Sequence, residues 1–176
     1  MVASRPVDER ILLTMKMLLV LRHGKSPHGG ESDWERPLAH RARTEDIPAM
    51  AAFARKRGAV PQWIVSSDAR RARDTATAFA AGFAPPPEVV LTRDLYLVGP
   101  EGILAELRSL PESVETAAVV GHNVGLEQFA EWLGGPLPDS LKPGGLAVYR
   151  LEIDSWLDLH PSRAKRTAFA NPKELR

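Results

Sequence analysis

Residues 17–21, MLLVL, form an unbroken apolar run that stops abruptly at Arg22, His23, Gly24 and Lys25. A strand buried on both faces reads this way, because both sets of alternating side chains must leave water. Two further segments repeat the pattern. QWIVSS (62–67) runs directly into DARRARDT, and TAAVVGHN (116–123) ends in a histidine-bearing turn. Between them the spacing is helical. Ile47, Met50, Ala51 and Ala54 recur at helical intervals within TEDIPAMAAFARKRG, with Pro48 in the first turn and Gly58 as the stop. Ala72, Ala76, Phe79 and Phe83 make one face of a second helix, for which Ser66 or Ser67 is the expected N-cap. Ile103, Leu107 and Leu110 mark a short helix from about Gly102, and Leu126, Phe129 and Leu133 mark another in VGLEQFAEWLGG. EVVLTRDLY (88–96), GLAVYRLEID (145–154) and RTAFA (166–170) supply the remaining strands.

Strands alternating with helices predict an α/β fold, three layers deep (α/β/α), around a mainly parallel sheet. A chain of 176 residues suits one domain with a substantial core. The expected division is a loosely attached tail at 1–16 and a single domain at 17–174, with Met15 or Met17 as a workable natural start. The run ILLTMKMLLVL (11–21) is broken by Lys16 and falls short of the ~20 apolar residues a bilayer requires. It leads into RHGKS rather than a small-residue cleavage site. The formal net charge of +1 excludes nucleic-acid binding through bulk charge. With no cysteine, disulfides, thiolate catalysis and cysteine-ligated metals are excluded. A cytoplasmic protein without membrane or nucleic-acid partners is expected.

In sheets of this kind ligands bind at the carboxyl ends of the strands. RHGKS, SSDARRARDT and GHN all follow strands, so the fold brings them to one edge. Arg22, His23, Arg71 and His122 are then the reactive groups there. Two guanidiniums present forks of donors suited to phosphate oxygens. A neutral imidazole is a competent nucleophile towards phosphorus, and neighbouring cations help keep it neutral. A second imidazole can donate to the transferring group. The sequence carries neither a P-loop nor an aspartate-rich metal cluster, and phosphoryl transfer without a metal needs such a cationic cradle.

These residues also carry a resemblance. LRHGKS resembles the signature of the histidine phosphatase superfamily, the phosphoglycerate mutase-like fold. SSDARRARDTA resembles its second motif and VVGHN its third. SDWERPLAHRAR and AKRTAFANPKEL resemble the short, SixA-type phosphohistidine phosphatase branch. The resemblance spans roughly residues 17–174 and leaves no insertion large enough for a lid. It implies that His23 is the phosphorylated nucleophile, that Arg22 and Arg71 bind the phosphoryl oxygens, and that His122 is the second active-site histidine. Arg71, rather than Arg70 or Arg73, holds the motif's place before ARDTA. No metal and no cofactor is implied. Larger relatives protonate the leaving group with a carboxylic acid; Asp94 in TRDLY is the candidate here and Glu101 a weaker one. Lys25 beside the cradle is a candidate substrate-steering group. Two positions depart from the pattern: Asp68 stands where proline is usual, and Ala42 replaces a glycine.

The expected function is a metal-independent phosphatase working through a phosphohistidine intermediate on a phosphorylated protein side chain, as in the SixA type. The alternatives are a small-molecule phosphomonoesterase acting on sugar or nucleotide phosphates and, in a different class, a non-catalytic phosphate-binding scaffold. His28, His40 and His160 have no motif support and read as solvent-facing. Trp34 and Arg36 read equally as pocket rim or loop packing, and Trp63, Trp132 and Trp156 as core or helix-packing residues.

Overall fold

A computed structural model describes residues 14–176. The elements in chain order are β1 (Met15–Arg22), α1 (Ile47–Lys56), β2 (Trp63–Ser67), α2 (Arg70–Ala80), β3 (Glu88–Thr92), α3 (Pro100–Arg108), β4 (Thr116–Gly121), α4 (Gly125–Gly134), β5 (Leu146–Glu152) and β6 (Ala164–Ala170). They form one six-stranded sheet of order β3-β2-β4-β1-β5-β6. β1 to β4 pair in parallel, whereas β5 and β6 add on antiparallel.

β1 lies inside the sheet, and its side chains alternate between two cores. Leu18 and Val20 join Leu107, Leu126, Phe129 and Trp156 on one face. Leu19 and Leu21 join Ile47, Met50, Ala76 and Phe79 on the other. Thus α1 and α2 cover one face and α3 and α4 the other, the three layers the sequence predicts. All four residues from Leu18 to Leu21 are fully buried. At about 1.5–3 kcal/mol for each large aliphatic side chain removed from water, this strand has one favourable register, and its polar end is fixed with it.

Several boundaries differ from expectation. The expected tail at 1–16 falls, through residue 13, outside the described residues. Its last two residues belong to β1, because Met15 and Lys16 pair with Glu152 and Leu151. A π-helical turn at Ala42–Asp46 precedes α1, and Gly58 closes it at φ +69°, where glycine carries no Cβ penalty. Neither Ser66 nor Ser67 caps α2: both lie in β2, and Ala69 occupies the cap position without a side-chain bond. Phe83 lies beyond the end of α2 and still packs edge-on against Phe79 at 5.2 Å. β3 stops at Thr92, where a short 3-10 turn, Arg93–Leu95, takes over with the Thr92 hydroxyl accepting from the Asp94 amide. Trp156 is a core residue whose indole donates to Val114 O at 2.8 Å, whereas Trp132 is 41% exposed on α4, facing His160.

Candidate active site

The register places the carboxyl ends of three neighbouring strands side by side. Arg22 in β1 pairs with Gly121 in β4, and Val120 pairs with Ser66 in β2. The polar turns that follow therefore meet at one edge. His23, Arg71 and His122 are all buried there, with the two imidazole centroids 5.1 Å apart.

His23 is held at both ends of its ring. Nδ1 lies 2.7 Å from Gly24 O, which can only accept, so Nδ1 carries the proton. Nε2 is left with its lone pair, and Arg71 Nε–H points at it from 3.4 Å. Burial pushes the imidazole pKa down to about 3; Gly24 O opposes the shift, while His122, Arg71 and Arg22 add to it. The ring is therefore neutral near pH 7 and nucleophilic at Nε2. Gly24 itself has no room for a side chain. A Cβ there would meet Leu38 Cδ1 at 2.8 Å and Ala42 Cβ at 3.0 Å, so Ala42 packs directly on the turn that carries His23.

His122 Nε2 lies 2.9 Å from Ser67 Oγ. The same hydroxyl accepts from the Ala69 amide at 3.3 Å, which turns its proton towards the imidazole. That arrangement places the His122 proton on Nδ1, a buried atom with no partner among the described residues. Burial, with Arg71 second, pushes this pKa down to about 4.

Arg22 donates through Nη1 to Leu141 O at 2.8 Å, and its Nε is buried without a partner among the described residues. Glu127 braces this arm. Its Oε2 accepts from Leu141 N at 2.6 Å and from Asn123 Nδ2 at 3.2 Å. Gly125, between Asn123 and Glu127, lets the start of α4 approach closely, since a Cβ there would meet Val98 O at 2.0 Å. Buried donors without a partner are costly. Arg22 Nε–H and His122 Nδ1–H together fit the oxygens of a bound phosphoryl group.

Arg71 is 3% exposed, while Arg70 and Arg73 turn outwards to Asp74. Its two terminal nitrogens donate to Asp33, Nη1 to the main-chain oxygen and Nη2 to Oδ2 at 3.0 Å. Asp33 is the residue that sequence reasoning left without a role, although SDWERPL contains it. Its carboxylate also accepts from Tyr96 OH at 2.6 Å and from Arg36 Nη1 at 3.0 Å. The Tyr96 hydroxyl above all, then Arg36 and Arg71, hold it well below the usual carboxylate range. The 3-10 turn Asp33–Glu35 thus docks over the cradle. Trp34 completes the contact edge-on to Tyr96 at 5.1 Å, and Arg93 stacks on its other side at 3.4 Å. Arg93 also pairs with Asp68 at 3.2 Å, so the negative charge that replaces proline has a cationic partner.

Asp94 and Glu101 are not brought to the cradle. Both are exposed, and Asp94 faces Glu106, whose pKa burial and then Asp94 raise. Asp94, the expected acid, sits in the 3-10 turn Arg93–Leu95 rather than at the end of a strand. Lys25 is likewise exposed and lines a separate hollow of about 590 Å³ with Lys142, Pro172 and Lys173. His28, His40 and His160 are exposed, as expected.

This sheet, with its histidine and arginine cradle at one edge, has the phosphoglycerate mutase-like fold, which is also the fold of the histidine phosphatase superfamily. Within it the SixA proteins are good structural matches. A candidate phosphohistidine phosphatase SixA from Agrobacterium tumefaciens superposes with TM-score 0.75 at 26% identity, over 89% of this chain and 98% of that one. The protein histidine phosphatase SixA complexed with tungstate gives 0.75 at 20% identity, over 91% and 99%. A mycobacterial glucosyl-3-phosphoglycerate phosphatase gives 0.61 at 17% identity, over 88% and 98%. No protein-family model matches the chain, and no curated protein matches it in sequence.

Proposed function

We propose that the chain is a metal-independent phosphatase of the SixA type, acting on phosphohistidine in a protein. The observation that carries this reading is the state of His23: a neutral imidazole, anchored through Nδ1–H, whose Nε2 lone pair faces the Arg71 guanidinium. In the first step Nε2 attacks phosphorus in line, and the bond to the leaving atom breaks with its electron pair passing to that atom. Arg22, Arg71 and His122 donate to the equatorial oxygens, whose charge is what such a cradle stabilises. In the second step water attacks phospho-His23, the P–N bond breaks, and inorganic phosphate leaves. The Gly24 carbonyl keeps Nδ1 protonated throughout, so His23 departs as neutral imidazole rather than as imidazolate.

The substrate class follows from what surrounds the cradle. Neither Asp94 nor Glu101 approaches it, and the carboxylate that does, Asp33, is held ionised. Without a proton donor, leaving groups that need little help are favoured, and a protonated phosphoimidazole is one. The likeness to SixA proteins supports the same reading, as does the lack of a large insertion over the cradle among the described residues. A cytoplasmic location belongs to this proposal; no helix among the described residues is long and apolar enough to cross a membrane. The second reading, a sugar-phosphate phosphatase, is favoured by the likeness to the glucosyl-3-phosphoglycerate enzyme.

The test compares kcat/KM for a phosphohistidine peptide, 4-nitrophenyl phosphate and a sugar phosphate, with and without EDTA. The peptide is expected to be cleaved fastest, chelation to change nothing, and folded His23→Ala to fall to background. A sugar phosphate preferred over the peptide supports the second reading. Turnover abolished by EDTA and restored by a divalent ion overturns metal independence. Binding of phosphate without turnover of any substrate identifies a scaffold.

A further inference from the structure

We propose that the Asp33 carboxylate sets the preference for phosphoramidate over phosphoester substrates, by accepting the distal N–H of the phosphorylated imidazole as it docks. This rests on the phosphohistidine reading above.

The geometry places Asp33 between nucleophile and solvent. One guanidinium spans the two: Arg71 Nε faces His23 Nε2 at 3.4 Å, and Arg71 Nη2 donates to Asp33 Oδ2 at 3.0 Å. His23 is 9% exposed, whereas the Asp33 side chain is 46% exposed, so the carboxylate is within reach of a side chain arriving from solvent. The carboxylate accepts from Arg71, Arg36 and Tyr96. An ionised carboxylate has about four lone-pair positions, so one remains for a ligand. The charged and titratable groups around it are Arg71 from α2, Arg36 from its own loop, Tyr96 after β3, and His122 across the cradle. All four are donors or cations, so none competes for the ligand's N–H.

An anion here opposes the binding of an ordinary phosphate ester, which brings only negative charge. It assists one kind of substrate, whose leaving group is cationic before transfer. A phosphoimidazole protonated on its distal nitrogen is that substrate. When Nε2 of His23 attacks, the substrate P–N bond breaks and its electron pair returns to the ring nitrogen. The distal proton stays in place, and the ring departs as neutral imidazole. Without that proton it would have to leave as imidazolate. The enzyme already uses the same device on its own side, where Gly24 O holds the distal proton of His23. Asp33 supplies the matching acceptor for the other imidazole, so the phosphoryl group moves between two rings with equivalent support.

The test measures kcat and KM for a phosphohistidine peptide and for 4-nitrophenyl phosphate on the parent, Asp33→Asn and Tyr96→Phe, across neutral to mildly alkaline pH. Asparagine keeps the shape and an oxygen for Arg71 but removes the charge. Asp33→Asn is expected to lower kcat/KM for the peptide by about tenfold or more, the worth of a hydrogen bond to a charged group. The loss falls on KM, because the cationic character decays as the bond breaks, and it is greatest at alkaline pH. The loss on the aryl phosphate is expected to be several-fold smaller than the loss on the peptide. Tyr96→Phe retains the charge and with it the parent's preference. Parallel losses on both substrates in Asp33→Asn overturn the proposal, since Asp33 then only positions Arg71; so does full retention on both. A parent that cleaves the aryl phosphate but not the peptide rejects the phosphohistidine reading itself, before any variant is compared.

Discussion

Thr75 joins the His23–Gly24 turn to Arg71: its hydroxyl accepts from the Gly24 amide at 3.0 Å and donates to Arg71 O at 2.6 Å. One buried side chain therefore fixes the separation of His23 and Arg71. Thr75→Val keeps the volume but strands the Gly24 N–H, at about 1–3 kcal/mol for an unsatisfied buried donor. A lower urea midpoint is expected, together with a fall in kcat on the order of 10–100-fold from misplacement. Thr75→Ser should restore most of both. Unchanged kcat in folded Thr75→Val would show that the cradle holds its geometry by other means.

The three neighbouring arginines of α2 should separate cleanly. Arg71 is buried, whereas Arg70 and Arg73 share Asp74 at the surface. Arg71→Ala, and Arg22→Ala on β1, should each lower kcat by on the order of 100-fold or more, as loss of an oxyanion donor does. Arg70→Ala and Arg73→Ala should leave steady-state rates within about twofold, as solvent-facing pairs contribute little. An essential Arg70 beside a dispensable Arg71 would overturn the assignment.

The two buried imidazoles make stability depend on pH. Their folded pKa values are pushed down to about 3 for His23 and about 4 for His122, both mainly by burial. The unfolded rings titrate near ~6.5. Below that value the unfolded chain binds more protons than the folded one, so stability falls as pH drops from about 6.5 towards 4 and is complete above 6.5. His23→Gln removes one of the two groups. Its urea midpoint should change less than the parent's between about pH 7.5 and about pH 5. Equal changes in the two proteins would mean that His23 is not buried as a neutral ring.

What the sequence disclosed about this site was whatever lies beside a strand end. Arg22, His23 and His122 each follow a continuous apolar run, so burial of the run dictates where they emerge. Arg71 was legible only through the motif resemblance, since Arg70 and Arg73 share the same first turn of α2. Asp33, Tyr96 and Glu127 were not, because each acts through a contact far along the chain: Tyr96 meets Asp33 63 positions away, and Glu127 meets Leu141 across 14. No local periodicity encodes the docking of a loop on a turn. Asp94 is placed otherwise than the sequence suggests for the opposite reason. Reading EVVLTRDLY as strand to its end would have kept it in the ladder, but β3 stops at Thr92 and the following turn points Asp94 towards Glu106. Ser67 was misassigned by similar logic. Its position before a helix suggested a cap, yet it remains in β2, where its hydroxyl orients His122.

The place of β1 inside the sheet sets an order of failure on warming. The Arg22 amide is bonded to Gly145 O and the His23 amide to Gly121 O, between two neighbouring strands. Such amides exchange with solvent only when the middle of the sheet opens, close to the global unfolding limit. Residues 27–32 are exposed throughout and lead directly into the Asp33 turn, whose hold on the body is a few polar and aromatic contacts. That segment is free to lift at far lower cost. If His23 and Asp33 act as proposed, a heated sample should lose its discrimination between leaving groups before it loses turnover, so fidelity would be the property most exposed to temperature.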